Sequence, residues 1–270
     1  MVGVAGRRLR VGQWHQDSTE DKGGVPARPL MILNGIGMNM EMLEPVTRHL
    51  GDRRVISVDM PGTGGSPDPV FPYTIPQMAL TLASLLDRLH IDAVDVLGIS
   101  WGGAIAQQFA FQHKARTGRL ALAATAAGAA AMVPGNPALL GAMLDPTEYT
   151  MEKALRRNLA SLYNGGGAER ISLNAAKAPS FSGWMCQMMA FAGWSSLPFL
   201  PVLDVPVLIM ADDDDQLVPA ANSRLLHNAI PHSRLEVFAG GGHLFMLSDP
   251  HGFSTRLRAF LNERTARKAA

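Results

Sequence analysis

Short apolar runs recur along the chain at 29–34 (PLMILN), 54–59 (RVISVD), 93–98 (AVDVLG), 119–125 (RLALAAT), 205–211 (VPVLIMA) and 233–239 (SRLEVFA). Their apolar positions are mostly consecutive, not alternating, and each run is bounded by turn formers. That pattern predicts strands buried on both faces. Between them, apolar residues fall at helical spacing: Leu82, Leu85, Leu86 and Leu89; Ile105 and Phe109; Leu225, Leu226 and Ile230; then Phe253, Leu257, Phe260 and Leu261. Strand–helix alternation predicts an α/β fold, a mainly parallel sheet flanked by helices. The segment RRLRVGQW at 7–14 is expected to add an antiparallel edge strand. The alternation stops from about Val133 to Pro201, where helical pieces replace strands: TMEKALRRNLASLY, a flexible NGGG at 164–167, and SGWMCQMMAFAGW. A stretch of this length without strands reads as a lid. The expected organisation is therefore a core built from 1–132 and 202–270, with a helical cap inserted at 133–201.

Composition narrows the function class. The 270 residues are 47% hydrophobic and 17% charged, with a net charge of +1, which fits a globular chain. No stretch is basic enough for a nucleic-acid groove. The single cysteine, Cys186, precludes an internal disulfide and suits a reducing compartment. The first residues have arginines but no apolar h-region, and no run of about eighteen apolar residues is present. The expectation is a soluble cytoplasmic protein, with no membrane or nucleic-acid partner.

The chemistry starts from VDVLGISWGGAIAQQFA at 94–110. Ser100 lies in a G-x-S-x-G, a motif that a glycine-rich chain produces by chance often enough to prove nothing alone. Its context is more specific, because a predicted strand precedes it and a predicted helix follows. Gly98 and Gly102 leave room for strand and helix backbones to meet, and Ala104 and Ala106 continue that theme. A serine that merely caps a helix would share this local order but would need no partners elsewhere. A nucleophilic serine needs a base, and the base an orienting acid. Of the eight histidines, His90, His113, His227 and His232 fall on or beside helical segments. His15 and His49 lie away from strand ends, and His251 opens the last helix. His243, in FAGGGHLFML, follows the final strand in a glycine loop on the same side of the sheet as Ser100. An acid is expected in DDDDQLVP at 212–219. Carboxylates at successive positions point in different directions and lack the alternating ligand spacing of a calcium loop, so no metal site is expected. The order serine, aspartate, histidine is that of α/β-hydrolases. Asp59 also ends a strand but precedes Ser100, and reads as a structural loop residue.

Seven stretches in chain order carry a closer likeness: NGIGMNMEMLEPV, VDMPGTGGS, GISWGGAIAQQFA, LAATAAGAAAMVPGNP, SLYNGGG, DDDDQLVP and GGGHLFML. Through them the chain resembles the α/β-hydrolase superfamily and, more closely, the intracellular medium-chain-length poly(3-hydroxyalkanoate) depolymerases. In that superfamily the acid lies three residues after a glycine and four before a proline. Counting back from Pro219 selects Asp215, with Asp214 the alternative, because Asp212 stands where the family carries glycine. The resemblance also implies that the amides of Trp101 and Ile36 stabilise an oxyanion, although Asn34-Gly35 stands where relatives commonly carry His-Gly. It implies ester hydrolysis through an acyl-enzyme, without metal or organic cofactor. Met185, Met188, Met189 and Trp184, with Met132, Met143, Met151, Phe191 and Trp194, either line a pocket for aliphatic chains or fill the core beneath the cap. The resemblance favours the pocket, an aliphatic polyester or its oligomers as substrate, and a polymer granule surface as partner. Small-ester esterase, lipase, carbon–carbon bond hydrolase and cofactor-free perhydrolase remain open on the same triad, as does a non-catalytic receptor.

Overall fold

The structure is a computed structural model that describes residues 1–15, 27–162 and 175–263. Strands β1 (Val2–Val4) and β2 (Arg7–Leu9) form a separate hairpin, turning at Ala5 and Gly6, both with positive φ. β3 (Val11–Trp14) follows. The single edge strand expected over 7–14 is thus split at Arg10, whose amide donates to Ser66 Oγ at 2.8 Å. After β4 (Leu30–Leu33) the chain passes the short helix α1 (Glu44–Thr47) to β5 (Val55–Val58), α2 (Ile75–Arg88), β6 (Val94–Ile99), α3 (Trp101–Gln112) and β7 (Thr117–Ala123). Helix α2 begins with a reciprocal capping box between Thr74 and Gln77.

From β7 to the next strand the described residues form α4 (Pro137–Leu144), α5 (Pro146–Thr150), α6 (Glu152–Ser161) and α7 (Phe181–Ala192), with one isolated bridge from Gly128 to Ser195. The NGGG stretch lies outside the described residues. The chain closes with β8 (Val207–Asp212), α8 (Ala220–Ala229), β9 (Arg234–Phe238), α9 (Phe245–Ser248) and α10 (Pro250–Leu261).

The sheet has seven strands in the order β3-β5-β4-β6-β7-β8-β9, all parallel except β3. β4, β5, β6 and β8 are buried at every position, as their unbroken apolar runs require. β9 differs from the expectation of a strand buried on both faces. It is an edge strand and most of its residues are partly or fully exposed. The order reverses at β4, which has β5 on one side and β6 on the other. In an open parallel sheet, a crevice opens at the carboxyl ends of strands where the order reverses. Here those ends are Leu33, leading to Asn34–Ile36, and Ile99, leading to Ser100. No helix among the described residues is long and apolar enough to cross a membrane.

Candidate active site

Ser100 sits between β6 and α3 with φ 51° and ψ −119°, a region that non-glycine residues occupy at a cost of about 1–3 kcal/mol. The surroundings hold it there. Its amide donates to Ala123 O at 2.9 Å, and its carbonyl accepts from Thr125 Oγ1 at 2.7 Å and from the Gly103 amide at 2.9 Å. The turn is also sterically closed. A Cβ at Gly98 would lie 2.5 Å from Ala106 Cβ, and one at Gly102 would collide with the carbonyl of Leu33. Ser100 takes the N-cap position of α3, yet its side chain makes no cap hydrogen bond. Its Oγ instead meets His243 Nε2 at 3.0 Å, which removes the simple capping alternative.

His243 is buried, and its Nδ1 lies 2.8 Å from Asp215 Oδ2. The other oxygen of Asp215 accepts the amides of Leu217 at 2.9 Å and Val218 at 2.8 Å. These bonds fix the carboxylate plane against the imidazole. Asp214 faces elsewhere, with its carboxylate accepting Gln216 Nε2 at 3.0 Å. The four consecutive aspartates therefore diverge. Asp213 Oδ1 accepts the Gly240 amide at 3.1 Å, and Asp212 turns inward to the amides of Gly241 at 2.9 Å and Gly242 at 3.0 Å. In the sequence Asp212 stands only as a departure from a glycine; in the structure it ties two loops of the site together.

The loop after β4 lies against the serine. A Cβ on Gly35 would be 3.5 Å from Ser100 Cβ. Ile36 and Trp101 are both buried and border one cavity with Ser100. That cavity is small, about 40 Å³, and its apolar wall includes Met132, Met143, Met188, Phe191, Leu217 and Val218. A second cavity of about 200 Å³ borders His243, and Leu217 lines both.

Of the four side chains expected to bind substrate, Met188 lines the cavity at Ser100. Trp184 is buried away from it, Met185 is half-buried against the core, and Met189 is 54% exposed. Helical geometry separates Met189 from Met188, because adjacent residues of α7 point about 100° apart, whereas Trp184 and Met185 lie a turn earlier along the helix than Met188. Leu217 and Val218 were not anticipated. They stand two and three residues after Asp215 and donate their amides to its carboxylate, so the turn that sets the carboxylate also delivers them to the pocket.

Asp59 is fully buried and accepts the amides of Met40 and Gly65 and a bond from Arg10. Desolvation raises its pKa. It braces the loops beside the site, in keeping with a structural role.

The alpha/beta hydrolase fold family model matches residues 28–250. A poly(3-hydroxyalkanoate) depolymerase of Ectopseudomonas oleovorans is 40% identical over 245 residues, covering 88% of this chain and 86% of that protein. A 3-oxoadipate enol-lactonase of Acinetobacter baylyi is 29% identical, covering 88% and 90%. Among solved structures, the enol-lactonase from Burkholderia xenovorans superposes with a TM-score of 0.80 at 24% identity, covering 96% of this chain and 98% of that one. A family match over most of the chain, together with a 40% identical relative, makes this protein a member of the α/β-hydrolase fold family.

Proposed function

We propose that the protein is a carboxylic ester hydrolase in which Ser100 is the nucleophile, His243 the general base and Asp215 the orienting acid. The observation that carries this reading is the unbroken hydrogen-bonded chain from Ser100 Oγ through His243 to Asp215, with a strained serine at one end and a doubly anchored carboxylate at the other. His243 takes the Ser100 proton as Oγ attacks the ester carbonyl, and returns it to the departing alcohol. Water then hydrolyses the acyl-enzyme by the same relay in reverse. Asp215 holds the imidazole tautomer and stabilises the imidazolium. The amides of Ile36 and Trp101 are the donors for the oxyanion that develops at the carbonyl.

The substrate of this reading is an aliphatic polyester of the medium-chain-length poly(3-hydroxyalkanoate) type, or its oligomers, and the helices of residues 133–201 act as a cap over the site. The 40% identical depolymerase supports this choice. So does the methionine-rich wall, since flexible thioether side chains accommodate aliphatic groups of varied shape. The methionine side chains around the apolar cavity shift to admit the side chain of the acyl unit, and the cavity beside His243 leaves space for the rest of the polymer. A second reading, hydrolysis of small esters or lactones, is favoured by the 40 Å³ volume, room for only about two or three waters.

A substrate panel on purified protein and its Ser100→Ala variant separates these readings. It comprises p-nitrophenyl esters from acetate to decanoate, emulsified medium- and short-chain polyhydroxyalkanoate, and a vinylogous diketone. The expected result is clearing of the medium-chain polymer that disappears in Ser100→Ala. Turnover of acetate esters with an inert polymer would move the assignment to small esters, and cleavage of the diketone to carbon–carbon hydrolysis.

A further inference from the structure

We propose that Gln187, on α7, is a positioning residue for the oxyanion site, a role that rests on the serine-hydrolase reading above. Gln187 is 1% exposed, and a buried amide is costly unless its groups are paired. Its Oε1 accepts the Gly37 amide at 2.8 Å, and its Nε2 donates to Thr63 Oγ1 at 2.9 Å. Its backbone carbonyl accepts the indole N–H of Trp101 at 2.9 Å. One residue outside the sheet thus grips both segments that supply the oxyanion donors: the turn holding Ile36, and Trp101 itself.

That turn needs an external anchor. Ile36 stands between Gly35 and Gly37, and Gly37 adopts φ +67° in a turn closed by the Met38 amide on Gly35 O at 3.2 Å. Glycines on both sides leave the peptide planes about Ile36 little intrinsic preference. The bond from Gly37 to Gln187 fixes one of those planes, and Thr63 fixes the orientation of the amide that receives it. The next residue of α7, Met188, lines the cavity at Ser100. One helix therefore presents an apolar wall to the acyl group and, one position earlier, sets the donors that read its carbonyl. An apolar residue at 187 would fill the same space without that link.

The test compares Gln187→Met, close in shape but without amide groups, with Thr63→Val and the double variant. Each is measured on active-site-titrated enzyme with p-nitrophenyl hexanoate and a trifluoromethyl ketone of matched chain length. Interactions made in the transition state change kcat and binding of the hemiketal, not KM. Gln187→Met is expected to lower kcat by about tenfold or more, with KM within about twofold, and to weaken the ketone by a similar factor. Thr63→Val should lose about threefold in the same direction, and the double variant should be no worse than Gln187→Met, since the two groups act through one bond. Wild-type kcat in a cooperatively melting Gln187→Met, or a loss confined to KM, overturns the proposal. If Gln187→Met does not fold, Thr63→Val decides alone, and wild-type kcat there is equally fatal. Ser100→Ala assayed in parallel keeps the two levels apart. Hydrolysis retained in Ser100→Ala defeats the serine-hydrolase reading, whereas a dead Ser100→Ala beside an unimpaired Gln187→Met defeats the positioning role only.

Discussion

The carboxylate of Asp212 at the end of β8 accepts the amide of Gly242, the residue immediately before His243, at 3.0 Å. The same carboxylate accepts Gly241 N at 2.9 Å and Asp214 N at 3.0 Å. Asp212 is fully buried, so its charge is balanced by backbone dipoles that belong to the loops of the acid and of the histidine. A glycine-rich loop supplies amides without competing side chains, and a carboxylate at its foot converts that freedom into a fixed position.

Asp212→Asn keeps one acceptor oxygen but turns an NH2 group toward a backbone N–H. Asp212→Gly, which restores the residue typical of the family, removes the acceptor altogether. Each unpaired buried amide costs about 1–3 kcal/mol. Urea unfolding should therefore rank wild type above Asp212→Asn and Asp212→Gly lowest. The folded fraction of Asp212→Asn should show kcat reduced by about tenfold at unchanged KM, because His243 is less well held. A wild-type kcat in that variant would show that the loop positions His243 without Asp212.

The two neighbouring aspartates should separate cleanly. Asp215 Oδ2 reaches His243 Nδ1, whereas Asp214 reaches Gln216. Asp215→Asn is expected to lower kcat by about 10³–10⁴, the scale associated with an imidazole held in the wrong tautomer. Asp214→Asn should stay within about threefold. The opposite ranking in steady-state assays would transfer the acid to Asp214.

These residues also mark how far the sequence was legible. Continuous apolar runs gave the buried strands, because a strand covered on both faces has no polar side to show. The ends of the runs at 93–98, 205–211 and 233–239 pointed to Ser100, to the four aspartates at 212–215 and to His243, and the family resemblance chose Asp215 among the four. What escaped depends on pairing between distant positions. Nothing local at Arg10 announces that its amide is taken by Ser66 and that the edge run splits there. Asp212 reads as one of four like charges until Gly241 and Gly242 are seen to face it. Gln187 lies in an apolar helical stretch, and its partners are 150, 124 and 86 positions away. The methionines of α7 were correctly read as apolar and correctly placed on a helix, but the period alone did not say which one turns toward Ser100.

The Arg10 cluster predicts a pH dependence of stability. Desolvation would raise the Glu41 pKa, but hydrogen bonds from Arg10 and Asn39 outweigh it and hold the carboxyl at about 2, below its ordinary 4.5. A depressed folded-state pKa contributes stability that is present above pH 4.5 and lost as the pH falls toward 2. Asp59, whose pKa burial raises, acts in the opposite sense, so the comparison must be differential. Urea midpoints of wild type and Glu41→Gln should converge between about pH 4.5 and 2. A gap that stays constant across that range would mean the Arg10–Glu41 pair contributes nothing that protonation removes.

Chain-length preference should follow the inner face of α7. Met188 borders the cavity at Ser100, and Met189 is 54% exposed on the outer side. Met188→Ala removes apolar bulk where the cavity is only about 40 Å³. Each methylene newly accommodated contributes about 0.8 kcal/mol, or roughly fourfold in kcat/KM. Met188→Ala should therefore raise the ratio of kcat/KM for p-nitrophenyl decanoate over butyrate by about tenfold, while Met189→Ala leaves that ratio within about twofold. If Met189→Ala moves the ratio and Met188→Ala does not, the acyl chain runs along the outer face of the helix, and the cavity beside Ser100 holds only the first carbons next to the carbonyl.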